Sequence, residues 1–182
     1  STTMSFFSMV FSEDRAQLTS VKAVDDNYPL RGLLISGEKP FMRGSPVDRG
    51  PKRGEVWIES RLFPSLSIAL GDLVDVGVSS FPVTRVLIKE PDRGGGFSDA
   101  GPRLLMHIDD VPATKVVRPG SRIGYRYLFS GEPDVIQEFT DWAKPRLSAG
   151  ARTISIKEGA EGIGDALERG ERFLLLGSLL GV

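Results

Sequence analysis

The residue types that most often carry chemistry are scarce in this chain. It has 182 residues, no cysteine and a single histidine. Without cysteine there is no disulfide, no thiolate nucleophile and no Cys-ligated zinc or iron–sulfur centre. The one imidazole lies in His107-Ile108-Asp109-Asp110. Side chains adjacent in sequence do not converge on one ion and no second His completes a ligand set, so His107 reads as structural. Gly96-Phe97-Ser98-Asp99-Ala100 has the outline of a nucleophile elbow. An elbow needs a buried strand immediately before it, and Pro91-Asp92-Arg93-Gly94-Gly95 occupies that place. Asp25-Asp26 is a carboxylate pair with no assignable partner and reads as a turn former. The glycines at 94–96 and at 159, 162 and 164 lack both the Lys-Ser/Thr of a P-loop and a GxGxxG turn between strand and helix. No catalytic, cofactor-binding or metal-ligating residue is predicted.

Charge narrows the partners. Lys+Arg 23 against Asp+Glu 24 leaves a formal charge of -1, without the basic excess that a phosphate backbone demands, so nucleic acid is excluded. Arg43, Arg49, Lys52 and Arg53 are diluted by Glu38 and Asp48 and read as a solvated loop. The opening Ser1-Thr2-Thr3-Met4-Ser5 has no basic start, apolar stretch or cleavage-like site, and does not read as a signal peptide.

Any site must be carried by the elements that the apolar spacing implies. With 40% hydrophobic residues the chain can bury a substantial core, and Gly 21 with Pro 12 marks it as turn-rich. Met4 to Phe11 and Ala16 to Val24 predict a β-hairpin, and Leu33 to Ile35 a short strand. Residues 36–54 read as a long exposed loop. Further strands are expected at Glu55–Ile58, Leu70–Val76 and Phe81–Ile88, with a helical turn between the first two that buries Leu62, Phe63 and Leu66. Alternation over Arg122–Phe129 predicts another strand. Pro133 to Leu147 predicts an amphipathic helix with Val135, Ile136, Phe139, Ala143 and Leu147 on one buried stripe, ended or kinked by Pro145. A strand at Arg152–Ile156 and a helix from Glu161 follow. The fold class is therefore α+β. Residues 1–25 and 119–172 form one α+β part, and 26–118 an inserted small β-barrel or curled sheet. The uncharged run Phe173–Val182 is shorter than the roughly 20 residues of a membrane span. It is either a docked helix end or the beginning of a transmembrane helix.

Three stretches, taken together, carry a family resemblance: Val21-Lys22-Ala23-Val24-Asp25-Asp26-Asn27-Tyr28-Pro29-Leu30-Arg31-Gly32; Gly54-Glu55-Val56-Trp57-Ile58-Glu59-Ser60-Arg61-Leu62; and Glu90-Pro91-Asp92-Arg93-Gly94-Gly95-Gly96-Phe97 with Pro102-Arg103-Leu104-Leu105-Met106. With Pro119 to Arg126 they resemble the extracytoplasmic domain of FtsX-like ABC transporter permeases of the YbbP type, whose fold is the MacB-like periplasmic core. The resemblance implies a porter-like α+β part built from both chain ends, a β-rich insertion, and 173–182 as the start of a truncated transmembrane helix. It implies a bacterial inner-membrane protein with this domain in the periplasm. A separate cytoplasmic ATPase subunit would hydrolyse ATP, and a second permease copy or half would be a partner. The cargo would be hydrophobic or lipid-like, or the partner a periplasmic protein. No cofactor is implied. Tyr28, Arg31, Asp92, Arg93, Gly94 and Gly95 are the candidate contact surface. The alternative reading is a soluble, non-catalytic periplasmic binding or adaptor domain.

Overall fold

The computed structural model describes residues 1–13, 15–93, 101–148, 150–151 and 153–154. Two compact units divide the chain, Ser1–Ser130 and Gly131–Val182. The first is built on the N-terminal hairpin that the alternating residues predict: β1 (Thr2–Ser12) and β2 (Arg15–Val24) are antiparallel, with Met9 opposite Leu18 and Phe6 opposite Val21. From there hydrogen bonding runs round a ring. β2 lies parallel to β8 (Arg103–His107), β8 antiparallel to β5 (Val56–Glu59), and β5 parallel to β7 (Ser79–Lys89). β7 then pairs antiparallel with β6 (Leu73–Val76), and β6 returns to β1 through Val10 opposite Val76. The result is a closed six-stranded barrel, in which these strands leave no open edge between them. Three short strands extend the sheet: β3 (Leu34–Gly37) on β7, β4 (Ser45–Val47) on β3, and β9 (Gly124–Tyr127) on β1.

Two apolar clusters hold this unit. The larger contains Phe6, Val10, Val21, Ala23, Val56, Ile58, Val74, Val76, Leu104 and Met106, closed over by Leu62, Phe63 and Leu66 of the short helix α1 (Leu62–Leu66) and joined by Val111 of the short helix α2 (Val111–Thr114). The smaller lies on the opposite face of the same strands and gathers Val24, Tyr28, Leu34, Trp57, Leu87 and Leu105. Strands β8 and β5 are consequently buried on both faces. All five residues of β8 are buried, as are three of the four in β5. A doubly buried strand carries no alternation, so nothing in Arg103-Leu104-Leu105-Met106-His107 marks it as a strand by period.

The α+β class holds, and the strands expected at 4–11, 16–24, 55–58, 70–76, 81–88 and 122–129 are all present with shifted ends. Two expectations change in this unit. The N-terminal hairpin supplies two barrel strands, so it shares one sheet with strands from 26–118. The stretch 36–54 is not loop throughout, because β4 folds back onto β3 with Ser36 opposite Ser45. Its basic side chains are nonetheless exposed, as expected.

In the second unit, α3 (Pro133–Ala143) starts with Pro133 in its first turn and Asp134 near its positive end. It gives way to a 3-10 turn at Lys144–Arg146, where Pro145 lacks the N–H that would continue it. The Arg146 guanidinium stacks over the Trp142 ring at 4.6 Å. The predicted buried stripe is corrected: no residue of α3 is buried, and Val135 is 61% exposed. Amphipathic spacing fixes which face is apolar and leaves open whether anything covers it. No helix among the described residues is long and apolar enough to cross a membrane. The helix from Glu161 and the run 173–182 lie outside the described residues, as does most of the strand expected at Arg152–Ile156.

Double-sided burial makes a test. Leu104→Ala and Leu105→Ala, on opposite faces of β8 and both fully buried, should each cost about 2–5 kcal/mol in urea unfolding. A half-buried strand would lose stability at one of the two alone.

Candidate functional site: a buried ionic network

Between β2, β8 and the end of β7 lies a cluster of charged side chains out of contact with water. Lys22 stands in β2 between Val21 and Ala23, and alternation turns it away from the barrel interior toward the second cluster. Arg103 begins β8 opposite Ser20 of β2 and points the same way. Glu90 follows the last residue of β7. The side chains of Lys22, Glu90 and Arg103 are 4%, 1% and 1% exposed. Charges so desolvated persist only when paired and hydrogen-bonded.

Glu90 joins the two cations. Its Oε1 accepts from Arg103 Nε at 2.8 Å and its Oε2 from Lys22 Nζ at 3.1 Å. Arg103 Nη1 donates to Ser20 Oγ at 2.6 Å. The Lys22 ammonium also donates to Asp92 Oδ1 at 2.5 Å and to the Tyr28 hydroxyl at 2.9 Å. The Tyr28 hydroxyl in turn donates to Asp92 Oδ1 at 2.6 Å. Two cations face two carboxylates, so the cluster is neutral, and all three ammonium protons of Lys22 are engaged. A lysine so committed holds no lone pair for nucleophilic attack. The arrangement ties three chain segments together.

A third carboxylate extends the network to β5. Glu59 Oε2 accepts from the Arg103 backbone N–H at 3.0 Å and from Arg93 Nη1 at 3.2 Å, while Arg61 reaches Glu59 Oε1 at 2.8 Å. Arg93 also donates to the Gly101 carbonyl. Tyr28 is brought in by the turn after β2. Asp25 holds that turn by accepting from Ser1 Oγ, Thr2 N and Asn27 N, and a cis peptide bond joins Tyr28 to Pro29. Gly32 (φ 87°) packs against Pro91 so closely that a Cβ would stand 2.5 Å from the proline Cβ. Thus Tyr28-Pro29-Leu30-Arg31-Gly32, Trp57-Ile58-Glu59 and Glu90-Pro91-Asp92-Arg93, remote in sequence, meet at one place.

The electrostatics follow from burial and neighbours. Burial works against the charged form of Asp92, but the Lys22 ammonium, its hydrogen bond and that of Tyr28 outweigh it and hold the carboxyl below the ordinary aspartate value of 3.8. Burial, then the negative charge of Asp92 and its hydrogen bond, push the Tyr28 phenol well above its ordinary value of 10.0. Asp25 is also held low: burial opposes its charge, and the hydrogen bonds from Ser1, Thr2 and Asn27 prevail.

Of the candidate contact residues, Tyr28 is 1% exposed and sits inside the network, so it offers no surface. Asp92 is three-quarters covered by its partners. Arg93 is tied to Glu59, Arg31 is exposed, and Gly94 and Gly95 lie outside the described residues. Lys22, Glu90 and Arg103 were not singled out as site residues. The available signal was a charge inside an apolar strand, Val-Lys-Ala-Val and Arg-Leu-Leu-Met. His107, expected at the surface or half-buried, is buried: its Nδ1 accepts the Asp109 N–H at 3.2 Å at the start of the 3-10 turn Ile108–Asp110. Ser98 lies outside the described residues. No cluster of metal-ligating side chains occurs among the described residues.

No family model matches the chain. Among curated proteins it is 35% identical over 177 residues to the uncharacterised ABC transporter permease YbbP of Escherichia coli (strain K12). The match takes in 97% of this chain. The chain is related to a segment of an ABC transporter permease. It spans about one-fifth of the length of that relative, 21%. The resemblance to a YbbP-type permease is thereby borne out, and the network places most of the quoted motifs on one physical feature.

Removing one partner of a buried pair strands the other charge. Lys22→Met should cost about 3–5 kcal/mol in urea unfolding, whereas a loss under 1 kcal/mol would show that the network is dispensable. The pH profile has two limbs. The depressed carboxyl of Asp92 contributes stability above pH 4 that is lost as pH falls below that range; the raised phenol of Tyr28 contributes stability below pH 10 that is lost as pH rises beyond it. Melting temperature against pH should therefore show a weaker acid limb in Asp92→Asn and a weaker alkaline limb in Tyr28→Phe.

Proposed function

We propose that the chain is the extracytoplasmic domain of an FtsX-like ABC transporter permease subunit, in the bacterial inner membrane and facing the periplasm. The observation that carries this reading is the match of nearly the whole chain to one segment of a permease. Within it, residues 26–118 are the β-rich insertion and residues 1–25 with 119–172 the porter-like part of MacB-like type, whose N-terminal hairpin shares the barrel sheet with the insertion. ATP is hydrolysed by a separate cytoplasmic subunit, and a second permease copy or half completes the transporter. The role of the domain is mechanical. A barrel with a charge-paired ionic network on its outer face keeps its shape when displaced, and so passes on motion of membrane helices to a hydrophobic or lipid-like cargo or a periplasmic protein. Arg31 and Arg93, beside the network, are the proposed contact residues for that partner.

Topology tests the reading. The chain is free of cysteine, so Leu33→Cys, at a residue 57% exposed, introduces one thiol in this segment of the parent protein. In spheroplasts a membrane-impermeant maleimide should label it without lysis. Labelling only after lysis, or recovery of the parent protein in the soluble fraction, would overturn the proposal.

A further inference from the structure

The turn joining β3 to β4 presents two large apolar side chains to water. Phe41 is 69% exposed and Met42 is 61% exposed. Phe41 also has φ 62°, in the left-handed region that a bulky L-residue occupies only at a cost in strain. Its backbone N–H is held there by Ser60 Oγ at 3.0 Å. The neck of the turn is fixed by close approach: a Cβ at Gly44 would stand 2.3 Å from the Ser36 carbonyl oxygen and 2.5 Å from Ile88 Cδ1. The strain is thus spent on holding an aromatic ring out of the core.

Charge indicates what receives the tip. Lys39 and Arg43 flank Pro40-Phe41-Met42, and both are exposed; Lys89, opposite Ile35 on the neighbouring strand, is exposed as well. Glu38 is the acidic residue of the turn. From these features we infer that the 38–44 turn docks on an anionic phospholipid surface, Phe41 and Met42 entering the interface and Lys39 and Arg43 meeting lipid phosphates. A protein interface requires a broad complementary patch of about 800 Å² a side, whereas here two apolar residues project from a narrow, charged turn. A bilayer supplies a diffuse apolar layer beneath an anionic one, in the order in which the turn presents its groups. Prior fixing of the turn lowers the ordering cost of insertion. The inference draws on the permease reading only for the nearness of a membrane, and the maleimide experiment tests that reading separately.

The test uses the full 182-residue chain with vesicles of phosphatidylglycerol or of phosphatidylcholine. Flotation should show binding to the anionic vesicles, weakened by salt. Neutralising both cations in Lys39→Gln/Arg43→Gln should weaken it by about 25-fold, about fivefold per charge. Phe41→Gly relieves the backbone strain while removing the ring. It should leave the melting temperature unchanged or raised and weaken binding by about tenfold, which a merely structural Phe41 would not do. An environment-sensitive fluorophore on Met42→Cys should shift to the blue on binding, and one on Leu73→Cys, 59% exposed elsewhere on the barrel, should not. Absence of wild-type binding, equal binding to phosphatidylcholine, binding indifferent to Phe41→Gly, or a photo-crosslinker at position 41 of the parent protein that joins protein and no phospholipid would each overturn the inference.

Discussion

Three ionised side chains, those of Lys22, Glu90 and Arg103, are shut away from water in this domain, and their pairing constrains everything around them. A desolvated charge is tolerated only beside its counter-charge with its hydrogen bonds filled. The strands and turns that carry these groups must therefore meet in one register. Lys22 and Arg103 fix β2 against β8, Glu90 fixes the end of β7 to both, and Asp92 with Tyr28 brings in the turn after β2. Where an apolar core tolerates sliding and repacking, an ionic network of this kind admits one arrangement.

The network also accounts for the unusual placing of the apolar residues. Because a polar cluster and a second apolar cluster cover the outer face of β8, β5 and the second half of β2, those segments are buried twice. One barrel thus acquires an interior core and an external one. For a domain related to a segment of a membrane transporter, the physical consequence is a body whose strands cannot slip on one another without breaking charged pairs. Every proton of the buried ammonium is bonded within that body.

The fold was legible where alternation was. Strand β7, most of the hairpin β1–β2 and the three residues buried by α1 could be read from their periods, because there one face is buried and the other wetted; Thr19–Val24 of β2 is buried on both faces. Strand β8 could not, since burial on both faces erases the period. The stripe on α3 was legible as a stripe but not as exposed, since spacing describes one helix and burial depends on its neighbours. Tyr28 and Asp92 were picked out through a motif resemblance; their contact with Lys22 was invisible because 70 positions separate Lys22 from Asp92.

By itself the sequence determined the fold class and the shortage of two reactive residue types. A chain without cysteine and with one histidine has no thiol and no multi-histidine ligand set of its own, and its turn-rich alternation points to an α+β fold. Tertiary structure alone decided that the sheet closes into a barrel and that Lys22, Tyr28, Glu90, Asp92 and Arg103 form one neutral cluster. The reason is physical: residue type and spacing act within a few positions along the chain, whereas desolvation and charge pairing depend on what folding brings within about 3 Å.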